Sequence, residues 1–258
     1  MNLALGQFAD GLLDLFLPKR CVQCGTPGRW LCAACARSLQ PLGGPRCARC
    51  GRPASTAAAQ CPECRGRDLG FVSARAAFAY EGPARKLVTA CKFRSLHSLG
   101  VEMAELARTA FCAAVLDGSG GAGAVTCVPV HRDRRLERGF NQAELLAREL
   151  ARLAGLPFVP ALERPRQGAR QSELSGAARA ANVVGAFALA PRATPLVAPF
   201  KRVVIVDDVY TTGETLSQCS KALRDVGREV SAFTFARAVR RHLYAGAAET
   251  SSAKEQRR

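Results

Sequence analysis

Asp207 and Asp208 stand side by side after an apolar run, Val203-Val204-Ile205-Val206, and Val209-Tyr210-Thr211-Thr212-Gly213-Glu214-Thr215 follows without a gap. Two adjacent carboxylates suit sugar hydroxyls or a hard cation such as Mg²⁺. The amides of Thr211, Thr212 and Gly213, with the two threonine hydroxyls, can converge on a phosphate at a helix N-terminus. The chemistry this implies is recognition of a phosphorylated sugar. The alternative is a strand end whose aspartates and threonines only cap the next helix. A nucleotide-triphosphate loop needs Gly-x-x-x-x-Gly-Lys before Ser or Thr, and no such string occurs; the dinucleotide pattern Gly-x-Gly-x-x-Gly is missing from this turn as well.

Cysteine supplies a second chemistry. The pairs Cys21/Cys24, Cys32/Cys35, Cys47/Cys50 and Cys61/Cys64 are each spaced C-x-x-C and hold eight of the twelve cysteines within 44 residues. One pair grips a tetrahedral ion from one side, so four pairs make two Cys₄ sites. Zinc takes four thiolates without redox chemistry, and iron also accepts sulfur ligands. A disulfide scaffold would call for a secretory leader, whereas residues 1–18 carry Asp10 and Asp14 and no basic stretch. Spacing leaves open whether the pairs close in chain order or cross over. Large apolar residues are few around them, so the metals must supply folding energy that a core cannot. Cys91, Cys112, Cys127 and Cys219 lie outside pairs and read as small buried hydrophobes.

Positioning these groups takes two units. Residues 1–18 read as a short amphipathic helix, 19–67 as the metal module, 68–239 as an α/β domain large enough for one core, and 240–258 as a frayed tail. In the α/β domain strands are expected at 71–80, 125–130, 185–189, 203–206 and 230–235. Helices are expected at 84–93, 100–115, 143–154 and 216–226, with a glycine-rich linker at 118–123 and an arginine-bearing loop at 163–172. The four β-branched residues before Asp207 mark a strand buried on both faces, which belongs in a parallel sheet. Ligands collect at the carboxyl ends of such strands. No apolar run reaches the length of a membrane-spanning helix.

The chain carries a formal charge of +16, and only six of its 37 basic residues are lysine. Eight thiolates and two Zn²⁺ lower that to about +12. Arginine binds phosphate through two parallel hydrogen bonds. Lys19, Arg20, Arg29, Arg37, Arg46, Arg49 and Arg52 cluster on the metal region against Glu63 alone, a pattern suited to nucleic-acid backbones. Trp30 is the one aromatic there, which argues against a stacking platform. A second basic stretch, Arg132, Arg134, Arg135 and Arg138, follows the strand ending near His131 and would set cations beside the acidic pair.

The run from Val203 to Thr215 resembles the signature of the type I phosphoribosyltransferases. Val128-Pro129-Val130-His131, Arg138-Gly139-Phe140-Asn141-Gln142, Leu145-Leu146-Ala147, Gln171, Leu174, Arg179, Asn182, Val183, Gly185-Ala186-Phe187 and Lys92-Phe93, together with the paired cysteines, are similar to the competence protein F family. That resemblance covers roughly 12–237. It implies a type I phosphoribosyltransferase-like fold, an open and mostly parallel sheet with flanking helices, preceded by a double zinc ribbon. It also implies phosphoribosyl pyrophosphate as ligand, with Mg²⁺. Asp207 and Asp208 would hold the ribose hydroxyls, and Thr211, Thr212, Gly213 and Thr215 the 5′-phosphate. Lys92, His131, Arg132 and Arg135 are the expected ligand contacts; Arg138, Arg170 and Arg179 join the two aspartates as catalytic candidates. His131 is open between ligand contact, general base and structural roles.

The family is connected with natural transformation. The implied setting is therefore cytoplasmic, peripheral to the inner membrane through protein partners, with single-stranded DNA and DNA-uptake or recombination proteins as partners. Three readings stay open: a phosphoribosyl-transfer enzyme with an unknown acceptor, a nucleic-acid-handling module, and a catalytically silent sensor of the sugar phosphate. A glutamine-hydrolysing amidotransferase would need a glutaminase domain, which is absent from this sequence.

Overall fold

The computed structural model describes residues 19–93, 97–116, 123–131, 135–136, 139–165 and 186–239. The amphipathic segment 1–18, the tail 240–258, and the greater part of the arginine-bearing loop lie outside these residues. Four strands, β1 (Ser73–Ala79), β2 (Ala124–Cys127), β5 (Arg202–Tyr210) and β6 (Glu229–Arg237), form one sheet in the order β1-β6-β5-β2. Every pairing in it is parallel. A separate antiparallel pair joins β3 (Leu162–Glu163) to β4 (Ala188–Leu189). The helices are α1 (Ala33–Ala36), α2 (Gly82–Phe93), α3 (His97–Leu116), α4 (Gln142–Ala154), α5 (Ala193–Val197) and α6 (Glu214–Arg224).

Strand direction explains the composition. A parallel sheet is covered on both faces, and β5 accordingly buries Val203, Val204, Ile205 and Val206 completely or nearly so. Val204 and Val206 pack into one apolar cluster with α2, α3 and α4. Val203 and Ile205 pack into another with α5 and α6. Leu146, Ala147, Leu150 and Ala151 of α4 repeat at helical spacing on its buried side. Asn141 caps α4: its side chain accepts from the Ala143 amide at 3.1 Å and donates to the Val128 carbonyl at 3.0 Å. The Gly-Phe-Asn-Gln stretch thus pins the helix to the end of β2.

Several boundaries differ from the sequence expectation. The strand expected at 125–130 leaves the sheet after Cys127, because Pro129 has no amide to continue a ladder. The strand expected at 203–206 runs on to Tyr210, paired with β6 on both sides of Asp208. The loop expected from 163 opens instead as β3, and Arg164 lies over the Phe187 ring at 5.2 Å.

The metal region wraps the outer edge of β1. Its linker runs antiparallel to that strand, with the Leu42 amide donating to the Ala77 carbonyl at 2.9 Å and the Ala79 amide to the Gln40 carbonyl at 2.8 Å. An otherwise open sheet edge is thereby covered. Cys21, Trp30, Leu31 and Leu39 join the apolar cluster on one face, while Cys47, Cys50, Cys61 and Cys64 join the cluster on the other.

Candidate ligand crevice and metal centres

The crevice follows from topology. From β2 the chain passes through α4 to Phe158, which bridges Val125 in parallel on the outer side of β2. From β5 it passes through α6 to β6, which lies on the opposite side. Strand order therefore reverses between β2 and β5, the position where open α/β sheets bind ligands beyond their carboxyl ends. The β2 ladder stops at Cys127–Val206, whereas the β6 ladder continues to Tyr210–Arg237. Asp207 and Asp208 occupy the first stretch of β5 that β2 leaves unpaired.

Both aspartates are half-buried, and the Asp208 amide donates to Asp207 Oδ1 at 2.8 Å. Side-chain alternation slips by one residue here. Val209 packs toward the cluster that holds Val204 and Val206, and Tyr210 toward the one that holds Val203 and Ile205. Thr211 and Thr212 are exposed, Thr215 half-buried and Gly213 buried. Gly213 caps α6 at φ 78°, and a Cβ there would overlap the Tyr210 hydroxyl, so only glycine fits. The Glu214 amide lies 3.4 Å from Thr212 Oγ1. Exposed hydroxyls and first-turn amides thus line the mouth beside the two carboxylates.

The basic side is partly placed. His131 is half-buried after β2, and Arg135 is exposed and pairs with Glu144 at 3.3 Å. Arg132, Arg138, Arg170 and Arg179 lie outside the described residues, as does the side chain of Lys92 near the end of α2. Cys127 and Cys219 are buried, and burial pushes both thiols well above the ordinary range, with the negative charge of Asp207 adding to it. Neither is poised as a nucleophile.

The cysteines resolve into two cages in chain order: Cys21, Cys24, Cys32 and Cys35, then Cys47, Cys50, Cys61 and Cys64. Within each, all sulfurs lie within 4.8 Å of one another. A tetrahedral zinc with bonds of about 2.3 Å places its sulfurs about 3.8 Å apart. Cys24 to Cys32 is 3.7 Å, Cys50 to Cys61 3.7 Å, Cys61 to Cys64 3.7 Å and Cys47 to Cys64 3.9 Å. The donor sets fit two structural zinc ions. The Cys61 amide also points at Cys47 Sγ at 3.2 Å, which favours a thiolate there.

Sequence reasoning missed a repeat and three supporting side chains. The metal region contains a repeat offset by 26 residues, Arg20-Cys21-x-x-Cys24-Gly25-x-Pro27 and Arg46-Cys47-x-x-Cys50-Gly51-x-Pro53. It is visible on self-alignment, and both copies close with an antiparallel bridge, Arg20 to Pro27 and Arg46 to Pro53. Trp30 is an anchor and no stacking platform: it is buried, and its indole donates to Ser98 Oγ at 3.1 Å. Glu102 of α3 accepts from the Trp30 and Leu31 amides at 3.2 and 2.7 Å. Arg237, at the end of β6, touches the second cage and had no sequence signal beyond closing an apolar run.

Residues 12–65 match the double zinc ribbon domain family. The chain is 38% identical over 117 residues to competence protein F of Haemophilus influenzae, covering 45% of this chain and 50% of that protein. It is 36% identical over 100 residues to DNA utilization protein YhgH of Escherichia coli, covering 38% and 42%. Against competence protein ComFC of Streptococcus pneumoniae the identity is 30% over 111 residues, covering 43% and 46%. The chain spans about half the length of the curated relatives it matches. No helix among the described residues is long and apolar enough to cross a membrane. With two Cys₄ cages ahead of a parallel α/β sheet, the chain is similar to these competence proteins over somewhat less than half its length.

Proposed function

We propose that this protein binds phosphoribosyl pyrophosphate in the crevice between β2 and β5, in a type I phosphoribosyltransferase-like domain, and serves the cytoplasmic handling of imported single-stranded DNA. The observation that carries the reading is the coincidence of three features at one place. Strand order reverses there, two carboxylates begin the end of β5 that β2 leaves unpaired, and a Thr-Thr-Gly turn opens α6. Asp207 and Asp208 take the ribose hydroxyls, and Thr211, Thr212, Gly213 and Thr215 the 5′-phosphate. His131 and Arg135 stand on the β2 side, where pyrophosphate needs cations, and the basic residues 132 and 138 are their neighbours in sequence. Bound Mg²⁺ would neutralise the pyrophosphate and ease its departure from the sugar. The names of the relatives, two competence proteins and a DNA utilization protein, support the DNA setting. Titration calorimetry of the zinc-loaded protein with phosphoribosyl pyrophosphate, with and without Mg²⁺, tests the ligand. Binding that Mg²⁺ strengthens is expected, and no heat at millimolar ligand would refute it.

One observation favours a second activity, nucleic-acid binding by the metal region. Arg20, Arg85, Lys86 and Thr89 line an open groove of about 880 Å³ between the first cage and α2. Three cations along one groove suit a phosphate backbone, with affinity that falls steeply between about 50 and 200 mM salt. An Arg85→Glu, Lys86→Glu variant that bound a single-stranded oligonucleotide as well as the parent would remove this groove from the account.

A further inference from the structure

Arg237 closes β6 at 3% exposure, and among the described residues no carboxylate pairs with it and its Nε has no partner. A buried guanidinium without a counter-charge is costly. Its partners are on the second cage: Nη1 donates to the Cys50 carbonyl at 2.7 Å, and Nη2 lies 3.7 Å from Cys50 Sγ. Four thiolates around Zn²⁺ leave a net charge of about −2, the counter-charge that Arg237 otherwise lacks. The guanidinium in turn lies 4.0 Å over the Tyr210 ring, and the Tyr210 hydroxyl fills the space beside Gly213. A second brace starts three residues past the last cysteine. Arg67 Nη1 donates to the Thr212 carbonyl at 3.3 Å, and Arg67 pairs with Glu214 at 3.3 Å. The turn between β5 and α6 is therefore held at two points, and both are rooted in the second ribbon. Beside the first cage Arg20, the repeat counterpart of Arg46, is exposed and donates to the Gly25 carbonyl at 3.4 Å.

We infer that the second metal centre is a working part of the ligand turn: metal held by Cys47, Cys50, Cys61 and Cys64 fixes Arg237, Arg237 fixes Tyr210, and Tyr210 with Arg67 sets the shape in which Thr211, Thr212 and Gly213 meet a phosphorylated ligand. Arg237, Tyr210 and Arg67 are positioning residues that touch no ligand themselves. The identity of the ligand rests on the phosphoribosyl reading; the coupling of metal centre to turn does not.

The test uses the full zinc-loaded chain with four variants, Arg237→Met, Arg237→Lys, Arg67→Ala and Cys64→Ser, and with Glu102→Gln as a control that loosens only the first ribbon. Three readouts are taken on each: zinc per chain, hydrogen exchange of the amides between 211 and 217, and titration with phosphoribosyl pyrophosphate and Mg²⁺. Arg237→Met should keep two zinc ions yet speed exchange at the turn about tenfold and weaken the ligand about tenfold. Arg237→Lys should recover part of both losses, because charge returns without the forked geometry. Arg67→Ala, at an exposed side chain that the fold does not need, should move both readouts the same way by about threefold. Cys64→Ser should lose one zinc and open the turn at least as far as Arg237→Met does, and Glu102→Gln should leave the turn at parent values. If Arg237→Met does not fold, Arg67→Ala and Cys64→Ser decide. Parent exchange rates in those two variants, or an equal effect from Glu102→Gln, would overturn the coupling. If the parent itself fails to bind phosphoribosyl pyrophosphate, the ligand reading falls, while faster exchange in the variants upholds the coupling on its own.

Discussion

The two ribbons are copies of one local design with unequal surroundings. Arg20 to Pro27 and Arg46 to Pro53 fold alike: the Cys21 amide donates to the Thr26 carbonyl and the Cys47 amide to the Arg52 carbonyl, both at 2.8 Å. Yet they sit on opposite faces of the sheet. In the first cage Cys21 is buried, Cys32 and Cys35 are half-buried and Cys24 is exposed; in the second all four are buried. The first hangs on α3 through Trp30 and Glu102, and the second meets β6 and the ligand turn through Arg237. Local sequence builds the cage, and what the cage supports depends on what packs against it.

The largest expected difference is in metal loss. Cys64→Ser should leave one zinc per chain and cost more than about 4 kcal/mol in denaturant unfolding, since a buried metal centre and the partner of a buried cation are lost together. Cys24→Ser should also leave one zinc but cost about 1–3 kcal/mol, because that ligand faces solvent. Equal costs would break the comparison. Gly213→Ala comes next: left-handed backbone and overlap with Tyr210 should together cost about 1–3 kcal/mol, read by the same unfolding curve. Glu102→Gln should cost about 1 kcal/mol and keep both zinc ions, because one of the two amide acceptors remains.

The smallest effect is a pH dependence at the hinge between ribbon and α6. Bonds from Arg224 at 2.6 and 3.0 Å hold the Asp68 carboxyl down to about 2. Its folded value is depressed, so the stabilisation is complete above the ordinary carboxylate range near 4 and is lost as pH falls through about 2. The pair is half-exposed, which limits the effect to less than about 1 kcal/mol. The stability difference between parent and Asp68→Asn should be constant above pH 5 and shrink on acidification; a difference that grows on acidification would contradict the assignment.

Much of this architecture was legible in residue order. Strand β5, helix α6 and the eight cysteine ligands could be read directly, because β-branched runs and C-x-x-C spacing are local signals. The reversal of strand order could not, since the places of β2 and Phe158 are set by packing far along the chain. The slip at Asp208 is likewise invisible, for it depends on which cluster claims Val209 and Tyr210. Trp30, as the one aromatic of the metal region, argued against a stacking platform, but only Glu102 and Ser98, roughly 70 residues away, reveal it as an anchor. Arg237 carries a charge at the end of an apolar strand, and nothing nearby in sequence says that its counter-charge is a metal cage.

The most direct measurement compares the parent with an Asp207→Asn, Asp208→Asn double variant by calorimetry against phosphoribosyl pyrophosphate and Mg²⁺, with zinc content and the unfolding transition recorded for both. Asparagine keeps hydrogen-bonding shape and removes charge, so the variant should hold two zinc ions and unfold cooperatively like the parent. The expected result is a loss of ligand affinity of about a hundredfold or more, with single-stranded DNA binding retained or slightly strengthened by the higher net charge. A double variant that bound phosphoribosyl pyrophosphate as tightly as the parent would contradict the assignment of the crevice.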